Sequence, residues 1–114
     1  VPLYRLAHSR TGDKGNRSNI SVIAWHPALW DVLVDQVTEA AVAQQFAQRR
    51  PRQVTRYLLP QLQAMNLVLD DVLDGGVNDS LNLDSHGKAL SYLLLDMPVT
   101  VPAHLATHFG GPSV

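Results

Sequence analysis

The stretch from His8 to Asn19 carries a dense set of side chains that could bind or transform a ligand. Gly12 and Gly15 permit positive φ angles, and consecutive backbone amides in such a turn can bind an anion. Lys14 and Arg10 would add positive charge at the same place. The pattern is typical of a phosphate or carboxylate site.

Two residues of this stretch could move protons. Asp13 could orient Lys14 or act as an acid or base, and the imidazole of His8 is a side chain that often serves as a general acid or base. The glycine spacing matches neither a Walker A loop nor a dinucleotide fingerprint. A structural interpretation also stays open: Asp13 and Asn16 would satisfy the turn amides, with Lys14 solvated. His8 could likewise be only a hydrogen-bond partner at the end of a strand.

Asn66 interrupts a run of apolar residues that we predict to be helical. A buried carboxamide without a partner costs about 1–3 kcal/mol, so the amide of Asn66 either bonds to a neighbouring strand or loop or points into a site. The natural structural partner is the backbone of residues 8–19. His104 and His108 have the spacing of a helical metal pair but no nearby third ligand. We therefore predict no metal site, and no cofactor is expected.

Composition limits the possible functions. A chain of 114 residues with 46% hydrophobic and 17% charged residues is predicted to be one globular domain. Its net charge of −1 gives no general attraction to nucleic acid or to an anionic membrane. Cysteine is absent, which excludes disulfides and thiol catalysis. No apolar run could span a bilayer, so we expect a cytoplasmic protein.

The N-terminal half predicts three strands and two helices. We expect a first strand at residues 3–7 and a second at residues 20–25, buried largely on both faces and joined to the first by a long hairpin loop. Helices are expected after Pro27 and after a capping Thr38. Residues 53–59 form the third predicted strand.

The C-terminal half predicts two more helices and two short strands. Pro60 is expected to open a helix that runs to residue 73, with Leu62, Met65 and Leu69 on one face. Residues 80–84 alternate like a strand, a last helix reaches residue 97, and residues 99–101 form an edge strand. We predict an α+β two-layer domain at residues 1–101, with helices on one face of a three- to five-stranded mixed sheet. Residues 102–114 are predicted to be a loosely held tail.

Several blocks resemble one protein family. The runs Ala7–Asn16 and Asn19–Ala24 are similar to the small C-terminal domain of the acyclic terpene utilisation (AtuA-type) proteins, which also occurs as a separate short protein. The likeness continues to about residue 98. Its further blocks are residues 56–60, residues 62–69 around Asn66, Gly75-Gly76, residues 80–84 and Gly87-Lys88.

The resemblance implies a ferredoxin-like α+β domain that works beside a larger chain in degrading branched acyl compounds as CoA thioesters. It does not fix the reaction. The positions that match the family pattern are Arg10, Gly12, Asp13, Lys14, Gly15, Asn16, Asn19 and Asn66.

Three hypotheses follow. In the first, the chain is an accessory subunit or detached domain that completes an acyl-CoA site on a larger AtuA-type chain. There Arg10 and Lys14 meet anionic groups, and Asp13 and Asn16 fix the loop. In the second, it is a small homodimeric enzyme that acts on an acyl-CoA, with Asp13 or His8 as acid or base beside Lys14. In the third, it is a non-catalytic interaction module.

Overall fold

The computed structural model describes residues 1–14, 17–47, 51–70 and 90–110, without the side chains of Asp13 and Lys14. Several predictions lie outside these ranges: the roles of Gly15 and Asn16, residues 71–73 of the helix predicted after Pro60, Gly75-Gly76, the strand at residues 80–84, and the start of the last helix, with Gly87-Lys88.

Four strands form one sheet in the order β1-β2-β4-β3. Within the described part of the chain, these strands are β1 (Ala7–Lys14), β2 (Arg17–Ala24), β3 (Gln53–Leu59) and β4 (Ala64–Asp70). The predicted α+β architecture is confirmed, and β3 has the predicted bounds. All three pairings are antiparallel, so within the described strands the expectation of a mixed sheet is wrong.

Helices α1 (Trp30–Gln36) and α2 (Glu39–Gln45) follow the hairpin, and residues 90–95 form helix α3. The sequence predicted helical structure at all three places. The hydroxyl of Thr38 accepts a hydrogen bond from the Ala41 amide, which is the expected N-terminal cap of α2.

The hydrophobic core lies between the sheet and the helices. It combines inward residues of β2 and β4 with one face of each helix and with the N-terminal segment. Its fully buried members include Leu3, Leu6, Ile20, Val22, Leu29, Leu33, Val37, Val42, Phe46, Met65, Leu67, Leu69, Leu90 and Leu94.

The prediction of a helix after Pro60 is wrong. A short 3-10 helix (Pro60–Leu62) ends at Gln63, which has φ 47°, and β4 follows at once. Met65 and Leu69 are four residues apart, and this offset fits both a helical and a strand period. Buried Leu67 between them fits only the strand, where every second residue faces the core.

The prediction of a first strand at residues 3–7 and a long loop at residues 8–19 is also wrong. Leu3–Arg5 is a 3-10 helix, and β1 begins at Ala7. β1 and β2 are paired along their whole length, from Ala7 opposite Ala24 to Lys14 opposite Arg17. The hairpin itself was expected, but the polar stretch forms its strands rather than its loop.

The C-terminal segment contacts the domain as far as it is described. No strand forms at residues 99–101, although Val1 and Val99 exchange backbone hydrogen bonds of 2.9 and 2.8 Å. Residues 102–110, predicted as part of a loose tail, include a 3-10 helix (Ala103–His108), and the Gly110 amide donates to the Arg5 carbonyl at 2.9 Å. None of the described helices is long and apolar enough to cross a membrane.

Candidate functional site

The sheet has two chemically different faces. Along β2 the buried residues are Ser18, Ile20 and Val22, and the register places Leu67 and Met65 of β4 opposite the last two. Residues paired across an antiparallel ladder project from the same side. We call this side the core face, and the predicted burial of β2 on both faces is wrong.

The helical layer is bonded to the core face at both outer strands. Thr11 of β1 shares a hydrogen bond between hydroxyls with Ser91 of α3. At the other end, Arg56 of β3 donates from Nη1 to the carbonyls of Val34 and Val37 at 2.7 and 2.8 Å. The helices therefore occupy the side of Thr11 and Arg56, and the alternate residues of each strand project from the opposite side, the open face.

Four predicted site residues lie together on the open face. Arg10 is opposite Ser21, and Ser21 is opposite Asn66 on its other side. Gly12 is opposite Asn19 in the next row. Neighbouring strands are about 4.8 Å apart, and alternate residues along a strand about 6.6 Å, so these residues form one continuous patch. We call Arg10, Gly12, Asn19 and Asn66 the Arg10 patch.

The polar groups of this patch are available to a ligand or partner. Arg10, Gly12 and Asn19 are exposed, and Asn66 is partly buried. Among the described residues, none provides a hydrogen-bond partner for the side chains of Arg10, Asn19 or Asn66. For Asn66, this arrangement favours the alternative that its amide faces a site.

Gly12 leaves the backbone uncovered within the patch. A Cβ atom at this position would meet nothing within 4 Å, and Gly12 does not have a positive φ that would require glycine. Neither the space around Gly12 nor its conformation demands glycine. A glycine within a strand often marks a place where another molecule approaches the backbone closely.

The charges around the patch favour an anion. The nearest described ion pair on this face joins Arg17 Nε to Asp70 Oδ1 at 2.6 Å, with the Arg17 side chain 63% exposed. This pair offsets its own charges, whereas Arg10 adds a cation beside two carboxamides. A guanidinium and amide N–H groups can together hold a carboxylate or phosphate.

The structure describes the predicted site residues at the end of β1 only in part. Asp13 pairs with Ser18 and Lys14 with Arg17 at the end of β1, but their side chains are outside the description. Gly15 and Asn16 are outside it as well. Acid–base chemistry by Asp13 or Lys14 stays a prediction.

His8 lies at the other end of β1, two residues before Arg10 on the same face. Its ring centroid is 4.6 Å from that of Trp25. Both rings line a pocket that sequence reasoning missed, together with Tyr4, Ala7, Tyr92, Leu95 and Asp96. These residues come from four separate segments, and no local spacing connects them. The one sequence feature that could have indicated this pocket is the aromatic residue Trp25 at the end of a predicted strand.

The described residues contain no cluster of three or more His, Asp or Glu side chains that could hold a metal ion. His104 and His108 lie in the 3-10 helix (Ala103–His108) rather than in an α-helix. The ring of His108 stacks on that of His26, with centroids 3.9 Å apart.

Comparison with known proteins gives one match. Residues 1–100 fit the model of the AtuA ferredoxin-like domain family. No curated protein and no solved structure matches the chain. The matched region covers most of the 114 residues and all four strands. The chain therefore belongs to the AtuA ferredoxin-like domain family, and its ferredoxin-like α+β fold agrees with the prediction.

Proposed function

We propose that this chain is an accessory domain of an AtuA-type system that degrades branched acyl-CoA compounds. In this proposal the open face contacts the larger AtuA-type chain. Arg10 binds an anionic group of the thioester where the two chains meet, and Asn19 and Asn66 supply hydrogen bonds beside it.

One observation carries the proposal. The strand register places Arg10, Asn19 and Asn66 on the side of the sheet away from the helices, with the bare backbone of Gly12 beside Arg10 and Asn19. A domain that needed these side chains only for folding would use their hydrogen bonds internally. Here they have no partner within the described part of the chain.

The site also looks like part of a larger one. The described patch has one cation, two carboxamides and, between Arg10 and Asn66, the hydroxyl of Ser21, which is hydrogen-bonded to the Arg10 backbone. The face is a sheet surface rather than a cleft. A flat polar surface of this kind buries a ligand only when a second surface covers it. This supports an accessory role over a self-sufficient enzyme.

The test is calorimetric titration of the larger AtuA-type chain into this chain, with and without isovaleryl-CoA. We expect the thioester to tighten binding. Arg10→Ala should weaken the ternary complex by about tenfold or more, and Asn66→Ala by about fivefold. Gln44→Ala, an exposed carboxamide on α2, is the matched control and should bind like the wild type.

Wild-type affinity in both Arg10→Ala and Asn66→Ala would show that the open face is not the contact surface. Turnover of isovaleryl-CoA by this chain alone would instead support the self-sufficient homodimeric enzyme.

A further inference from the structure

A pocket of about 450 Å³ lies beside the start of β1, where its lining residue His8 is two residues before Arg10. Four of its seven lining residues carry rings, Ala7 and Leu95 add aliphatic surface, and Asp96 is the only carboxylate. The four rings belong to Tyr4, His8, Trp25 and Tyr92. No lysine or arginine contributes to the lining.

The wall formed by Trp25 is held in one orientation. Its indole Nε1 donates to the Tyr4 carbonyl at 3.0 Å, and its backbone amide donates to the Leu6 carbonyl at 2.9 Å. Gly110 packs so closely against the indole that a Cβ atom there would lie 2.6 Å from Cγ of Trp25. A side chain fixed in this way loses little entropy when a ligand binds against it.

Two large aromatic surfaces at this pocket nevertheless face water. Trp25 is 44% exposed and Tyr92 is 65% exposed. Burying such surface against an apolar ligand is favourable by about 25 cal/mol per Å². The fixed position of Trp25 and its exposure together indicate a preformed binding wall rather than incomplete packing of the core.

We propose that this pocket binds a compact uncharged apolar group, such as a branched aliphatic chain or an alicyclic ring. Its apolar and aromatic lining selects for hydrophobic surface. Asp96, which is exposed at the pocket, repels a carboxylate and sets the preference for uncharged over anionic ligands. This site does not depend on the proposed role of the open face, because it needs neither Arg10 nor a second chain.

Trp25 provides the signal for the test. In a Trp30→Phe background, Trp25 is the only tryptophan, and its fluorescence reports directly on the pocket. The probes are cyclohexanecarboxamide and cyclohexanecarboxylate, which have the same ring and nearly the same shape but differ in charge. We expect a saturable change with the amide and affinity lower by about fivefold for the carboxylate.

Two pairs of variants give the controls. Tyr92→Ala removes an exposed aromatic side chain from the pocket lining and should weaken the binding of cyclohexanecarboxamide by about threefold or more. Tyr57→Ala removes a tyrosine on the open face that is 54% exposed, and it should have no effect. Asp96→Asn should bring the carboxylate close to the amide in affinity, whereas Asp35→Asn, an exposed aspartate of α1, should not. Circular dichroism confirms that each variant is folded.

The proposal fails if folded protein gives no saturable response to the amide. It also fails if Tyr57→Ala weakens binding as much as Tyr92→Ala, or if the carboxylate binds the wild type as tightly as the amide. None of these results depends on the larger AtuA-type chain, so they leave the proposed accessory function unaffected.

Discussion

The two faces of one sheet differ in almost every chemical respect. On the core face Ile20, Leu67 and Leu69 are completely buried. On the open face Arg10 and Asn19 are exposed and have no described partner for their side chains. Adjacent residues of the same strand supply the two sets. The fold therefore depends on the core-face residues of the strands, whereas Arg10 and Asn19 on the open face are available to a ligand or partner.

Neighbouring residues of β4 give the sharpest test of this difference. Leu67→Ala removes a fully buried side chain and should lower the free energy of unfolding by about 2–5 kcal/mol. Asn66→Ala, one residue earlier on the open face, should change it by about 0.5 kcal/mol or less. Urea unfolding measures both. Equal losses would mean that the open face also supports the fold.

A second comparison uses the two arginines on opposite faces. Arg56 donates to two carbonyls near the end of α1, which lack helical partners of their own. Arg56→Met should lower the free energy of unfolding by about 1–3 kcal/mol, because these carbonyls lose a charged hydrogen-bond donor. Arg10→Met should change stability by no more than about 0.5 kcal/mol, measured by the same unfolding curves. A loss at position 10 as large as that at position 56 would contradict the assignment of faces.

The smallest effect is expected for the ion pair on the open face. Asp70→Asn breaks the contact with Arg17, whose side chain is largely exposed, and should cost about 0–1 kcal/mol. The loss should shrink at about 1 M salt, where the Debye length is about 3 Å. A large loss that does not depend on salt would show that this face is less open than described.

The sequence predicted the helical layer well, and the reason is physical. Leu29, Leu33 and Val37 repeat at helical spacing and are all buried. Thr38 is a strong capping residue and is found as the cap of α2. Local propensity and the hydrophobic period agree in this part of the chain.

The same reasoning failed where one face of a strand is polar. In β1 the residues from His8 to Lys14 contain no large apolar side chain: Ser9 and Thr11 lie on the core side, and His8, Arg10 and Gly12 lie on the open face. Such a stretch has the composition of a loop. In β4 the spacing of Met65 and Leu69 fits both a helical and a strand period, so these two residues alone do not distinguish a helix from a strand.

For the candidate site, the sequence indicated residues but not their arrangement. Arg10, Gly12, Asn19 and Asn66 were singled out by type and by resemblance, yet Asn66 was expected on a helix beneath a loop. Only the register across three strands shows that all four share a surface. The pocket at Trp25 depends on contacts between distant segments and had no local signature.

One measurement tests the central claim most directly: the effect of Gly12→Leu on stability and on binding to the larger AtuA-type chain. The position has open space and an unstrained backbone, so the free energy of unfolding measured in urea should change by no more than about 0.5 kcal/mol. The new side chain projects from the Arg10 patch next to Arg10 and Asn19, and it should weaken binding by about tenfold or more in calorimetry. Unchanged binding by a stable Gly12→Leu protein would contradict the account.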